Sequence, residues 1–392
     1  MARLLPPSSY RSCQFGGAMG ATSISWPQVA AFRLHRHHLD RPANRNQIVD
    51  VVRDVGGVQA QLPTAAALAL RTRVRGLTMN DVESALWRDR TLVKAWSVRG
   101  ALHLLPSSDF LIYNRGLLKR AGRSMRWMAR YGLSDQDADA MVASIVESLR
   151  DGPLTRRELA KRVVAALGEK ARPWVEHGWG GVVHRAALFG HVVFGPDQGH
   201  EITFVLREKW LRGVRDISLE DAEAELVRTY LRGYGPAAVQ DFAAWADIAV
   251  AVAKPIFEGL RDELAPIVVE AKTLWALRRD ARTLHGARFA SPVVRLLPNF
   301  DTYLLGHEQK DHLVDAAHYK RVYRKAGWLS PVVLVDGRAG GVWSFQRRGK
   351  GLAIRVEPFR RLSRAVRDRV EAEAQDVGRF LELSPETSFA SR

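Results

Sequence analysis

The order of polar and hydrophobic residues divides most of the chain into helices that are followed by short pairs of strands. Before residue 288, several helix starts are marked by a hydroxyl residue followed three positions later by an acid, which is the pattern of an N-terminal capping box or its aspartate variant. Short β-prone pairs follow these helices, for example at residues 91–98 with 101–105. The predicted helix starts are Thr78 with Asp81, Ser134 with Asp137, Thr155 with Glu158, and Ser218 with Asp221.

Two or three short helices followed by one hairpin are typical of a winged helix. The sequence shows this order three times, so we predict three tandem winged-helix domains. Their predicted bounds are residues 25–133, 134–215 and 216–287.

Strand segments dominate the last part of the chain. Turn residues such as Asp336-Gly337 separate the segments, and a helix at residues 363–383 closes the chain. We therefore predict a small β-barrel-like domain at residues 288–392, and the fold class is α+β. The predicted strands are residues 293–297, 303–305, 332–335, 341–345 and 352–356.

The first residues differ from the rest of the chain. Residues 1–39 contain no Asp or Glu, as in a transit peptide, but Pro6-Pro7 and Gly16-Gly17 disfavour an amphipathic targeting helix. Met19 is an alternative start. We expect residues 1–24 to be a disordered or misannotated leader.

The composition predicts a polyanionic partner. The chain has 392 residues, and 59 Lys and Arg against 42 Asp and Glu give a net charge of +17, which points to nucleic acid. A hydrophobic content of 46% and 11 tryptophans indicate a folded chain. No apolar run reaches the roughly 18 residues that a membrane helix requires, so we expect no membrane association.

The common catalytic and metal-binding patterns are missing from the sequence. The single cysteine, Cys13, excludes an internal disulfide and a multi-thiolate metal site. His307 and His312 are five positions apart and cannot share a helix face as zinc-binding helices require. There is also no phosphate-binding glycine loop. We expect no metal and no cofactor.

Residues 108–130 predict a basic helix. Cations recur there at intervals of four, four, three and four, which places them on one helical face over about 22 Å. Such a stripe suits the backbone of DNA, and the alternative is an ordinary solvated face. A second basic run begins at Arg347 and Arg348. The predicted stripe consists of Arg115, Lys119, Arg123, Arg126 and Arg130.

Gln59 and Gln61 are the candidate catalytic residues. Gly56-Gly57 before them and Pro63 after them disfavour a continued helix, and residues two apart in an extended segment share a face. Two neutral amides can therefore converge on one spot. The alternative reading of the same residues is a polar turn between helices.

The sequence resembles the AlkZ/YcaQ-like DNA glycosylases, within a larger group of winged-helix DNA-binding proteins. The matching segments occur in the expected order from about residue 26 to the C-terminus. They are VGGVQAQ at 55–61, VRGALHL at 98–104, YLRGYGP at 230–236, DFAAW at 241–245, RLLPNFDTYLLG at 295–306 and LVDGRAGGVW at 334–343.

The resemblance implies three winged helices that cradle DNA, followed by a β-barrel. It also implies that the Gln-aliphatic-Gln motif of AlkZ-like members, here Gln59 and Gln61, is the catalytic element. His103 is a possible supporting residue, although Ala101 stands where the family's threonine is expected. The implied protein is a bacterial, cytoplasmic and nucleoid-associated monomer that binds double-stranded DNA.

The implied reaction is removal of an alkylated guanine by water. A guanine alkylated on its imidazole ring is already cationic and leaves as a neutral base, so no strong acid is needed. No lysine lies in the motif to form a Schiff base, which predicts a monofunctional enzyme that leaves an abasic site. The resemblance implies a role in DNA repair or in self-resistance to an alkylating natural product. The adduct that is removed can be a simple methylated guanine, a bulky adduct or an interstrand crosslink.

Two readings from other classes remain at this point. Winged helices bind DNA in many regulators without altering it, and a fold does not fix a function. The protein is then a transcriptional regulator or another non-catalytic DNA-binding protein. A damage-recognition protein that binds lesions without excision is the third reading.

Overall fold

The computed structural model describes residues 23–178 and 181–390, without the side chains of residues 120–125. Most of the predicted leader, residues 1–22, therefore lies outside the described part of the chain. The end of the leader was wrongly predicted, because Ser23–Ile24 form a strand, β1, that pairs in parallel with residues of the third hairpin.

Helix α1 (Trp26–Arg36) extends this packing onto the third hairpin. Its Val29 and Phe32 are buried in the same small hydrophobic cluster as Ile267. The predicted boundaries assign residues 25–36 to the first domain, but these apolar contacts place them beside the third.

The first three-stranded sheet is antiparallel throughout, with the strand order β2-β4-β3. Helix α4 begins at a predicted capping box, where the Thr78 hydroxyl accepts a hydrogen bond from the Asp81 N–H at 3.3 Å. The elements of this region are α2 (Ile48–Asp54), β2 (Val58–Gln59), α3 (Pro63–Arg71), α4 (Met79–Glu83), β3 (Leu92–Trp96) and β4 (Leu102–Pro106).

The predicted basic helix is not continuous. It is divided into α5 (Phe110–Gly116), a 3-10 turn (Leu118–Arg120) and α6 (Ala121–Arg130). The two halves pack on different cores, since Phe110 lies in a cluster with the third group of helices and Met128 in a cluster with the second. Because both halves bury apolar residues in different directions, the helix breaks and the prediction of one straight stripe is wrong.

The second three-stranded sheet has the order β5-β7-β6 and is also antiparallel. Ser134 and Thr155 cap the helices that follow them, as predicted. The elements are α7 (Asp135–Ser148), β5 (Leu154–Thr155), α8 (Arg156–Leu167), α9 (Arg172–Glu176), α10 (Gly181–Leu188), β6 (Val192–Gln198), β7 (Glu201–Leu206) and α11 (Arg207–Trp210).

The third sheet has the order β1-β8-β9. An antiparallel bridge between Ala237 and Trp275 takes the place of the short first strand of the other two sheets. Ser218 caps the first helix, as predicted. The elements are α12 (Leu219–Tyr234), α13 (Val239–Ala246), α14 (Val250–Gly259), β8 (Leu264–Val269), β9 (Lys272–Leu277) and α15 (Ala281–Gly286).

The last sheet has five strands in the order β10-β11-β12-β13-β14. Its pairs are antiparallel except β13 with β14, which are parallel. The chain as a whole is therefore α+β. The elements are β10 (Val294–Leu297), α16 (Tyr319–Val322), β11 (Val332–Val335), β12 (Arg338–Arg348), β13 (Gly351–Pro358), α17 (Arg364–Leu381) and β14 (Ser384–Phe389).

This last region corrects three expectations. Among the described residues the sheet does not close into a barrel, because β10 and β14 remain its two edges. The predicted strand at 303–305 is a 3-10 turn, since the Asp301 carboxylate accepts a hydrogen bond from the Tyr303 N–H at 3.0 Å. The last helix does not end the chain, because Glu382 adopts a left-handed conformation and β14 follows.

A fully buried ion pair joins the first helical region to the last sheet. Arg73 donates two hydrogen bonds to the Asp301 carboxylate, at 2.8 and 2.7 Å, and neither side chain is exposed. Arg73 also donates to the Ala69 carbonyl oxygen at 2.9 Å. This two-pronged ion pair fixes the turn after β10 against the end of α3. None of the described helices is long and apolar enough to cross a membrane.

Candidate active site

The loop between α2 and β2 requires glycine at two positions. Gly56 and Gly57 have φ angles of +69° and +91°, in the region that glycine adopts without strain. A Cβ on Gly57 would lie 2.8 Å from Cδ2 of Leu105, so the loop also approaches β4 too closely for a side chain. These constraints set the direction in which the following residues leave the loop.

Two hydroxyl groups from distant parts of the chain hold this loop. The Tyr234 hydroxyl, at the end of α12, lies 3.0 Å from the Val55 carbonyl oxygen. The Thr302 hydroxyl lies 3.3 Å from the Gly57 carbonyl oxygen, and the two hydroxyls are 2.6 Å apart. Burial raises the pKa of Tyr234 to about 12, so the phenol stays neutral and able to donate.

Gln59 occupies the end of β2. It lies opposite His103 of β4 in the register of the sheet, and only 8% of Gln59 is exposed. The next residue, Ala60, continues the extended chain by donating its N–H to the Leu102 carbonyl oxygen at 2.6 Å. The chain then bends at Gln61, which is half-buried. The structure therefore places both glutamines on one short segment beside β4.

Arg99 is the neighbour of Gln59 that the sequence did not indicate. Its Nη2 donates a hydrogen bond to Oε1 of Gln59 at 2.9 Å. Arg99 lies at the tip of the β3–β4 turn with φ of +56°, and burial lowers the pKa of its guanidinium. Only the pairing of β2 beside β4 brings this turn to the motif, so no local pattern could have predicted the contact.

His103 is buried next to the same loop. It is 2% exposed, and its Nδ1 lies 3.1 Å from the Ala101 carbonyl oxygen. A Cβ on Gly57 would lie 3.6 Å from Cδ2 of His103, which shows how closely the ring approaches the loop. The predicted supporting residue is therefore adjacent to the glutamine segment.

The predicted basic stripe divides into paired and exposed cations. Arg115 donates to Asp216 at 2.8 Å and to the Ile217 carbonyl oxygen, and Lys119 lies 2.7 Å from Glu223. Arg115 therefore holds the segment that leads into α12, and Lys119 pairs with α12 itself. Lys119 is exposed despite this ion pair, and Arg126 and Arg130 are also exposed.

Three further cations were predicted to bind DNA, namely Arg123, Arg347 and Arg348. The side chain of Arg123 is outside the described part of the structure. Arg347 and Arg348 are exposed at the end of β12, next to the hairpin turn, and Arg347 donates to the Gly349 carbonyl oxygen at 3.1 Å.

His307 and His312 pack as neutral rings. Their centroids are 4.7 Å apart, and His307 Nε2 lies 3.0 Å from the Tyr234 carbonyl oxygen. Burial lowers the pKa of both rings, that of His312 to about 2. Within residues 23–178 and 181–390, no group of three or more His, Cys, Asp or Glu side chains is arranged to hold a metal ion.

We predict that Tyr234→Phe loosens the loop and that Tyr230→Phe does not. Tyr230 is the matched control, since its buried hydroxyl donates to the Gly306 carbonyl oxygen at 2.8 Å and does not touch the loop. Removal of one such bond costs about 1 kcal/mol, which corresponds to roughly fivefold faster amide exchange at residues 55–60. Hydrogen exchange measures this, and equal exchange of the loop in both variants would contradict the assignment.

Comparison with known proteins identifies the family of the chain. A model of the family "DNA glycosylase AlkZ-like" matches residues 52–380. An interstrand DNA cross-link repair glycosylase of Streptomyces sahachiroi is 34% identical over 369 residues, which are 91% of this chain and 96% of that protein. The solved structure of Streptomyces sahachiroi DNA glycosylase AlkZ has a TM-score of 0.82 and 30% identity, over 94% of this chain and all of that one. The chain belongs to the AlkZ-like family and is a DNA glycosylase.

Proposed function

We propose that this enzyme removes cationic 7-alkylguanine-type bases from double-stranded DNA by attack of water at the glycosidic bond. Gln59 and Gln61 orient the water, and the product is an abasic site in an intact strand. The observation that supports the proposal is the loop held by the glycine turn and the Tyr234 and Thr302 hydroxyls, which leads directly into the short segment that carries the two neutral amides.

Neutral amides are sufficient because the positive charge of the alkylated base already makes it a good leaving group. An alkylated N7 makes guanine cationic, and the electron pair of the breaking bond neutralises it. The enzyme then has to orient a water and tolerate a positively charged sugar. An amide oxygen can accept a hydrogen bond from that water, although it is far too weak a base to take the proton early.

The substrate range that we propose includes bulky and crosslinked adducts. The Streptomyces sahachiroi relative is described as an interstrand cross-link repair glycosylase, and the present chain matches almost its whole length. Adducts at the same nitrogen share the cationic leaving group whatever their size. The proposed biological role is repair of alkylated DNA, including crosslinks.

The three helical regions act in this proposal as winged helices that surround the DNA. Each has the order helix, short strand or bridge, two or three helices and hairpin. The exposed cations Arg126, Arg130, Arg347 and Arg348 are the proposed contacts to phosphates. A single copy of the chain contains both glutamines, so the proposed working form is a monomer.

The catalytic assignment predicts loss of base release in the double variant Gln59→Ala/Gln61→Ala. DNA treated with a guanine-alkylating agent is incubated with excess enzyme, and abasic sites are cleaved with alkali. We expect release to slow by about 100-fold or more, the usual effect of removing groups that act on the reacting water. Gln47→Ala, which removes an exposed amide at the start of α2, is the control. Undiminished release by the double variant would disprove the mechanism.

The DNA contacts predict different salt dependences for two pairs of cations. Arg126→Ala/Arg130→Ala removes exposed cations, so the slope of log affinity against log salt should fall by roughly 0.9 for each lost phosphate contact. Arg115→Ala/Lys119→Ala removes cations already bound to Asp216 and Glu223, so its slope should change less. An unchanged slope for the first pair would exclude α6 from the DNA interface.

A further inference from the structure

Arg99 combines two unfavourable features in one residue. Its φ of +56° is uncommon for a residue with a side chain, and the neighbouring Gly100 has a φ of +71°. Its Nη1 is buried and has no hydrogen-bond partner among the described residues. Buried charge and backbone strain both oppose folding, so the contact with Gln59 is not explained by stability alone.

The contact fixes the orientation of the Gln59 amide. A guanidinium has only N–H donors, so the atom of Gln59 that faces it at 2.9 Å must be the amide oxygen Oε1. The amide nitrogen and its two N–H donors then point away from Arg99. The guanidinium already occupies one acceptor position of Oε1, and its positive charge disfavours a second donor, so this oxygen is a poorer acceptor for another partner.

The Gln61 amide, unlike that of Gln59, is not fixed in one orientation. It is half-buried, and its side chain makes no hydrogen bond to another residue in the described part of the chain. Its amide can therefore turn its oxygen toward a water molecule. The two glutamines of the motif are thus chemically different although they are the same residue type.

We infer that Arg99 is a positioning residue that holds Gln59 as a hydrogen-bond donor to the DNA or its attacking water, and leaves Gln61 as the acceptor for the water's proton. The inference rests on the proposed function, because it assigns separate tasks to the two proposed catalytic amides. It adds a third residue that contacts neither water nor base itself.

Arg99→Gly is the sharpest variant, because glycine adopts the same φ without strain. A residue that only stabilises the turn should leave a less stable protein when it is removed. A positioning residue should instead give a protein that unfolds at the same or a higher temperature and releases base at least about tenfold more slowly at saturating DNA. An unchanged rate at saturating DNA would overturn the inference.

Arg90→Gly is the matched control. Arg90 also has a positive φ, of +53°, and its guanidinium lies 3.8 Å from the centre of the Trp210 ring, at the other end of β3. The same substitution there removes the same charge and the same strain without touching Gln59. Arg90→Gly should leave the rate of base release unchanged. A loss equal to that of Arg99→Gly would show that removal of any such positive charge slows the reaction, and this would overturn the inference.

A double-mutant cycle separates this inference from the proposed function. In the Gln59→Ala background, Arg99→Gly should change the rate less than about twofold, because its target is gone. A further tenfold loss would show that Arg99 acts independently of Gln59 and would overturn the positioning role. If Gln59→Ala itself keeps the full rate, the proposed chemistry fails, and the role of Arg99 fails with it.

The two glutamines should also respond differently to the same change. Gln61→Glu keeps an acceptor oxygen, so base release should stay within about tenfold of the parent enzyme. Gln59→Glu removes the N–H donors and pairs a carboxylate with Arg99, so release should fall by at least about 100-fold. Equal losses in the two variants, or the reverse order, would overturn the division of tasks.

Discussion

The structure depends on the hydrogen bonds that hold the carbonyl groups of the glycine loop. Tyr234 comes from the third group of helices and Thr302 from the turn after β10, and both hydroxyls reach the loop before β2. The residue before Thr302 is Asp301, whose buried pair with Arg73 fixes the other end of the same helical region. Three parts of the chain that are far apart in sequence therefore meet at the segment that carries Gln59 and Gln61.

The charged residues of the chain and the proposed catalytic residues are different sets. The net charge of +17 suggests a polyanionic partner, yet the loop segment itself presents uncharged amides. Arg99, a cation in contact with Gln59, donates to the amide oxygen. In the proposed mechanism these amides provide no strong acid for a poor leaving group, so they suit a base that is already positively charged. In the proposed function, exposed cations such as Arg126 and Arg130 contact the DNA backbone.

The sequence predicted local features well and long-range ones poorly. Capping boxes such as those at Thr78 and Thr155 are complete within four residues, so their helix starts were predicted correctly. The break at Gly116 was missed because it depends on two cores that the local pattern does not reveal. Strand β14 was missed for a similar reason, since its parallel pairing with β13 requires α17 to return the chain.

In the candidate site, too, the local features were predicted from the sequence and the long-range contacts were not. The glycine turn and the two glutamines are contiguous, and together with the family motif they were found in the sequence. Arg99 was present in a quoted motif, but its bond to Gln59 arises from the register of β2 against β4. Tyr234 and Thr302 were likewise within matching segments, and only the fold shows that they contact the loop.

The most direct measurement compares a cationic and an uncharged lesion in the same duplex. Single-turnover rates are determined for 7-methylguanine and for hypoxanthine, after spontaneous base loss is subtracted. Because the proposed amides orient the water and no strong acid assists the leaving group, we predict that 7-methylguanine is released at least about 1,000-fold faster. Rates within about tenfold of each other would contradict the account, since an uncharged base requires an acid that this loop does not supply.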